Sequence, residues 1–497
     1  MLLIDIRARS QGLKSLSTFE ASLRDALRSM RHSLRHASTL RRNSGLSRRD
    51  TSGVAREFIP GFGAFEASLG DAPRSKRHSS RHASTFCRNS GLSRRDNGLS
   101  RRDISGVARE SIPGRIGKRF LLAATLAATT LLTALPVAAD WAQFRREPSQ
   151  HGGADSALPE NLQPVWIHRL PNGAETTPAI ADGTVYIGGL SGRFVALDLE
   201  TGEQKWSIET GEEIKSSALV KDGVVYFGDE FGKLRALDAA TGAEKWMFEA
   251  ESSISASPNW ASYADGACLV VGSYDNSIYC LDPATGKANF KIETEGHVHG
   301  SPAVADGLIY SSGCDGFLRG VDAKTGAETF KLQIGSYVAA SPAVLGSRLV
   351  VGTFDNEVVS VDLGKREVDW RYKHPERELP FYSSPAVTSD IVVLGGRDKM
   401  IHAIDVKTGE KRWIHTMRTR IDASPVIVGD RVIVADQRGK LEILNLADGE
   451  PLWEFTADDA FIGSPAISGG KLVIAAGDGA VYAFGEKKPK KAGGPAP

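Results

Sequence analysis

From residue 164 to residue 485 the chain alternates short apolar runs with polar corners, four runs to a unit, and the unit returns about every forty residues. The unit ending at Trp206 has an inner run at Thr177-Pro178-Ala-Ile, a β-branched run at Val185-Tyr-Ile-Gly188, and a third run that alternates apolar and polar positions. A corner, Ala196-x-Asp198-x-x-Thr201-Gly202, then leads into an outer run carrying Trp206. Runs of this length, with a two-residue period between turn residues, predict strands and hairpins. The corner recurs at Asp238, Asp282, Asp322, Asp362, Asp405 and Asn445, and the successive steps from Asp198 are 40, 44, 40, 40, 43 and 40 residues. One four-stranded propeller blade per repeat has this period.

The two ends of the array complete each other. Pro164 to Leu170 reads as an outer strand with no strands before it, while the last repeat supplies three strands and no outer one. Pairing the N-terminal strand 164–170 with the C-terminal blade closes the ring and removes exposed sheet edges. Outer-strand aromatics at Trp166, Trp206, Trp246, Phe290, Phe330, Trp370, Trp413 and Trp453 count eight units. The expected fold is therefore all-β, an eight-bladed β-propeller of four-stranded antiparallel blades. Those aromatics are expected to dock on neighbouring blades rather than on a ligand. The corner Asp is expected to accept backbone hydrogen bonds.

Charge divides the chain more sharply than its total of +1 suggests. Residues 1–115 hold 23 Lys and Arg against 10 Asp and Glu, net +13; residues 116–139 add +2; residues 140–497 hold 36 against 50, net −14. An acidic array disfavours nucleic acid as a partner. Residues 1–114 form a basic, internally duplicated, low-complexity leader, read as disordered or as translation from a start placed too far upstream. Residues 115–139 have a basic flank, an apolar run and small residues before Ala139, the pattern of a signal peptide or, uncleaved, of a membrane anchor. Segment 140–163 opens the exported part, and 486–497 is a basic Pro/Gly-rich tail. Cys268 and Cys280 flank the turn at Asp275-Asn276; a disulfide across that hairpin is left open, since their offset about the turn is asymmetric.

The corner pattern resembles the tryptophan-docking repeat of the pyrroloquinoline quinone (PQQ) propeller family, over Pro164 to Gly485. The resemblance implies eight blades. It also implies two kinds of relative, quinoprotein dehydrogenases and non-catalytic BamB-like assembly factors. The dehydrogenases are marked by adjacent cysteines, a calcium site and a catalytic Asp, and this chain has no adjacent cysteines. The expectation is therefore a monomeric, non-enzymatic, periplasmic or secreted scaffold without a cofactor. Its partners would be envelope proteins or peptides, and it would touch a membrane only through an uncleaved signal segment. A PQQ- and calcium-dependent oxidoreductase is the alternative.

Aligning repeats on the inner-strand Pro locates a candidate site. Two positions before it the residue is always small, and three before it the chemistry diverges: Glu175, Lys215, Ser255, His299, Ala339, Tyr382, Asp422 and Ile462. This set is expected to ring the mouth of the central channel, with Glu175, Lys215, Ser255, His299, Tyr382 and Asp422 facing a ligand or partner. A metal held through Glu175, His299 and Asp422 is the weaker reading, as is a glycan site on Tyr274, Phe354 and Tyr382.

Overall fold

The computed structural model describes residues 140–335 and 337–486; residues 1–139, expected from the sequence to be a leader and a signal peptide, and the tail beyond Glu486 lie outside the described residues. Eight antiparallel sheets follow one another in a ring, with no helix among the described residues. In blade one the strands are Ala179–Ala181, Thr184–Gly188, Arg193–Asp198 and Gln204–Glu209, from the inside outward. The eighth blade takes Ala466–Ser468, Lys471–Ala475 and Ala480–Gly485 from the C-terminal end and Gln163–Arg169 from the N-terminal end, Trp166 opposite Ala483. The ring thus closes between the chain's two ends.

The corners act as blade-to-blade docks. Asp198 Oδ1 accepts the backbone N–H groups of Glu200 and Thr201, both at 3.0 Å, which tightens the turn and puts Gly202 at φ +73°. The indole of Trp166 lies on that glycine and donates to the Leu199 carbonyl at 2.9 Å. Trp206 repeats both contacts at Gly242 and Ala239, Trp246 at Gly286 and Pro283, Trp370 at Gly409 and Val406, and Trp413 at Gly449 and Leu446. A methyl group at these glycines would meet the ring, so the residue serves a close approach as well as a left-handed turn. Trp453 has no following corner and donates instead to Leu162 in the linker entering the ring-closing strand. Phe290 lies on Gly326, and in the degenerate fifth repeat Arg366 holds the left-handed position, φ +60°, with its guanidinium over Phe330.

At the axis the inner strands are linked by side chains. The backbone N–H of Thr177 donates to Ser217 Oγ, Ser217 to Ser257, Ser257 to Ser301, Ser301 to Ser341, Ser341 to Ser384, Ser384 to Ser424, Ser424 to Ser464, and Ser464 to Thr177 Oγ1. These eight hydrogen bonds, each at 2.8 to 3.1 Å, run once round the channel without a gap. The small residues beside them are set by crowding: a Cβ on Gly300 would stand 2.6 Å from the Ala340 carbonyl oxygen, and one on Gly463 2.4 Å from that of Thr176. Four positions before the proline the side chains, Ile214, Ile254, Val298 and Phe381 among them, are buried between blades.

Segment 140–163 does more than lead into the ring. Its carbonyls at Trp141, Ala142, Pro148, Ser149, His151 and Gly152 accept the N–H groups of Ile180, Val220, Val304, Val344, Val387 and Ile427, one each from six inner strands. In the third blade the equivalent N–H, on Trp260, is taken by the Asn259 side chain, which also donates to Pro148. The segment then adds Gly153–Ala154 as a parallel fifth strand beside Val426–Val428. Free strand edges buried along a channel need such partners. Arg145 reaches across the axis and donates to the carbonyls of Pro385, at 2.8 Å, and Pro425, at 2.5 Å. Gln150 donates to Pro302 at 3.0 Å.

Cys268 and Cys280 are joined by a disulfide, which decides the pairing left open by the sequence. Cys280 opposes Val270, so the bond runs diagonally across the hairpin with the Cα atoms 5.5 Å apart. That offset explains the asymmetry about the turn.

Candidate functional site

The divergent positions come together. Glu175, Lys215, Ser255, His299, Tyr382 and Asp422 line one cavity of about 370 Å³ at the channel mouth, with Ala339 and Ile462 completing the circle. The hydroxyl ring forms the layer below them, and Phe144 of the N-terminal segment also lines the cavity. The cavity is a blind cup: wall chemistry comes from eight different blades, and the floor from the plugging segment.

The wall has two halves. On one, Lys215 is bonded to Glu213 at 3.2 Å. Burial opposes its charge, but Glu230 and Glu213 outweigh that and hold the ammonium above the ordinary lysine value. Burial raises the Glu175 carboxyl above its usual range; Glu213 and Glu230 add to the rise while Lys215 opposes it. Ser255 donates to Glu230 at 2.6 Å.

On the other half His299 sits between two phenols, Tyr274 on Nδ1 and Tyr382 on Nε2 at 2.7 Å. Burial, helped by the Arg397 charge, holds the imidazole below the ordinary histidine value, so it is neutral at pH 7. Burial also raises both tyrosines. Arg397 lies over the Tyr382 ring at 4.3 Å and grips Asp422 through two hydrogen bonds of 2.9 and 3.0 Å, and Gln437 adds a third. Asp422 and His299 are thus committed to separate partners. Among the described residues no group of His, Cys, Asp and Glu is arranged to hold a metal, and Glu175, His299 and Asp422 do not converge as one.

Beside the cup, and sharing Tyr274, His299, Ala339 and Tyr382 with it, a cleft of about 230 Å³ adds Cys314, Tyr337 and Phe354. Tyr337 is 57% exposed. The structure therefore places Tyr274, Phe354 and Tyr382 in one cluster, and adds three contributors that the repeat alignment passed over. Glu230 and Tyr274 belong to turns between the second and third strands, and Phe144 lies outside the array. A signal existed for the first two, since the same turn position diverges from blade to blade, with Leu190, Glu230, Tyr274, Phe354, Arg397 and Gln437 among its occupants; none existed for Phe144.

The family model described as outer membrane protein assembly factor BamB matches the chain over residues 157–262, 230–333, 315–424 and 397–491. The chain belongs to the BamB family. No curated protein matches it. Among solved structures, BamB from Moraxella catarrhalis is 22% identical, with a TM-score of 0.57, covering 66% of this chain and 99% of its own. The computationally designed Ika8 protein is 20% identical, with a TM-score of 0.56, covering 63% of this chain and 97% of its own. Quinohemoprotein alcohol dehydrogenase from Comamonas testosteroni is 13% identical, with a TM-score of 0.60, covering 72% of this chain and 82% of its own. At these identities the likeness to solved structures is one of fold, shared by BamB and by enzymes alike.

Proposed function

We propose that this BamB-family chain is an exported, non-enzymatic scaffold of the cell envelope that engages protein or peptide partners through the mouth face of its ring. The observation that carries the reading is the plugged channel. With one end sealed by the chain's own N-terminal segment, the divergent chemistry is presented on one face. Exposed apolar side chains stand beside it: Phe231, 64% exposed and next to Glu230; Tyr337; and Leu379, 46% exposed in the loop leading to Tyr382. Apolar side chains around a polar cup are the composition of a partner-binding surface.

The donor set supports a scaffold over a quinoprotein. PQQ carries three carboxylates, and the cup already brings Glu175, Glu230 and Asp422 to its wall, with Arg397 spent on Asp422. The Cys268–Cys280 disulfide lies in the core of the third blade and does not line the cup. The test is a calorimetric titration with PQQ and calcium, followed by dye-linked alcohol oxidation, alongside photo-crosslinkers placed at Phe231 and Leu379 in the producing cell. Neither PQQ binding nor turnover, with discrete crosslinks to an envelope protein, is the expected result. One equivalent of tightly bound PQQ with turnover would sink the reading.

A further inference from the structure

We propose that the cup and the aromatic cleft beside it bind the end of a neutral saccharide chain. The inference rests on reading the mouth as a binding face, and is independent of which protein the rim engages. It starts from the hydroxyl ring. Every one of its eight oxygens accepts a neighbour's N–H, and none donates to an acceptor among the described residues, so eight O–H protons and the remaining lone pairs are left to the lumen. The residues that carry them are only 3 to 5% exposed and line the cup. Buried hydroxyls in a blind cavity call for a guest that both donates and accepts, whether water or a polyol.

The layer above selects between guests. A cation entering the cup would meet the Lys215 ammonium, and an anion would meet Glu175 and Glu230. Glu175 forms no hydrogen bond or ion pair with another described residue, so its carboxylate is available to accept from a ligand. A neutral polyol avoids both repulsions: its hydroxyls donate to Glu175, accept from Lys215, and do both with the ring. The cleft supplies the apolar contact that a polyol's C–H face requires. Phe354 packs edge-on against Tyr382, ring centroids 6.1 Å apart at 64°, and Tyr337 stands exposed beside them. Together the two spaces, about 370 and 230 Å³, fall in the range of about 300–1,000 Å³ typical of small-molecule sites. Because the N-terminal segment closes the channel, a chain enters only by its end. A free peptide terminus would carry a charge there, which disfavours it relative to a sugar.

The experiment uses the full chain with maltotriose, cellotriose and chitotriose as probes, read by saturation-transfer NMR and calorimetry. N-acetyl-lysine amide, N-acetylglycine and N-acetyl-trialanine amide serve as cationic, anionic and peptide probes. The expected result is saturable binding of at least one trisaccharide, weakened about tenfold or more by Glu175→Gln and by Tyr337→Ala. Leu452→Ala, exposed on an outer strand and lining neither space, should leave sugar binding unchanged. Three results would overturn the proposal: no trisaccharide saturating at about 10 mM, tenfold above a millimolar Kd; sugar binding indifferent to both Glu175→Gln and Tyr337→Ala; or tighter binding of a charged or peptide probe. Crosslinks from Phe231 and Leu379 report on the scaffold separately, so sugars can fail while the protein-partner reading stands, and the reverse.

Discussion

Arg145 offers a test of the plug, because its energetics are opposed terms that different substitutions separate. The guanidinium is fully buried and forms no ion pair with a carboxylate among the described residues, and burial lowers its pKa from 12.5 to about 9. At about 1.4 kcal/mol for each tenfold, keeping the charge at pH 7 costs about 5 kcal/mol. Its two hydrogen bonds to the Pro385 and Pro425 carbonyls, at about 1.5–3 kcal/mol each for a charged donor, return a similar sum. The polar terms nearly cancel, so what remains is the aliphatic stem and the space it fills. Two methylenes beyond the Cβ that alanine keeps, at about 0.8 kcal/mol each, plus a cavity of roughly 80 Å³ at about 24 cal/mol per Å³, come to about 3.5 kcal/mol. Arg145→Ala should therefore lower stability by about 3–5 kcal/mol, and Arg145→Met, which keeps the stem and sheds the charge, by about 0–2. Arg145→Lys retains the charge without the fork that bridges two carbonyls, and should fall near Ala. Urea unfolding of the purified protein, read as midpoint shifts at constant slope, makes the comparison. An alanine variant within about 0.5 kcal/mol of the parent, or a methionine variant as unstable as alanine, would refute this account of the plug.

Gly242→Ala should destabilise by at least about 1–2 kcal/mol, since φ is +74° and the new Cβ would stand 2.7 Å from the Trp206 ring; a changed tryptophan emission should accompany the lower midpoint. Reducing the Cys268–Cys280 bond, or replacing both cysteines with serine, should cost up to about 3 kcal/mol for a loop of this length, seen as a lower midpoint under reductant. His299 is held below its ordinary value of 6.5, so the unfolded chain binds its proton first. Its contribution is intact above pH 6.5 and lost as pH falls through the lowered value, and His299→Gln should flatten that part of the pH–stability profile. His151 and His168 are lowered in the same direction by burial and remain in both proteins, which isolates the difference to His299.

Much of the architecture is local and therefore legible in the sequence. A period of forty with a two-residue alternation inside it specifies a blade, and Asp198 to Trp206 specifies a corner whose own turn hydrogen bonds lie within five residues. The half-blades at the two ends specify closure. The candidate ring from Glu175 to Asp422 was also legible, because eight aligned copies separate positions that repeat for structural reasons from positions that do not. Other features depend on residues brought together only when the ring closes. The seryl oxygens read as part of a Ser-Pro pattern, yet each hydrogen bond joins residues 40 to 44 apart, or 287 where Ser464 meets Thr177. The plug has no period of its own: Arg145 meets carbonyls 240 and 280 residues away, and nothing in Phe144 or Gln150 announces which inner strands they will face. Hairpin register likewise decided the Cys268–Cys280 pairing. Local propensity and periodicity set the blades. The close approach of eight inner strands around one axis set the hydroxyl ring, the sealed channel and the cup above it.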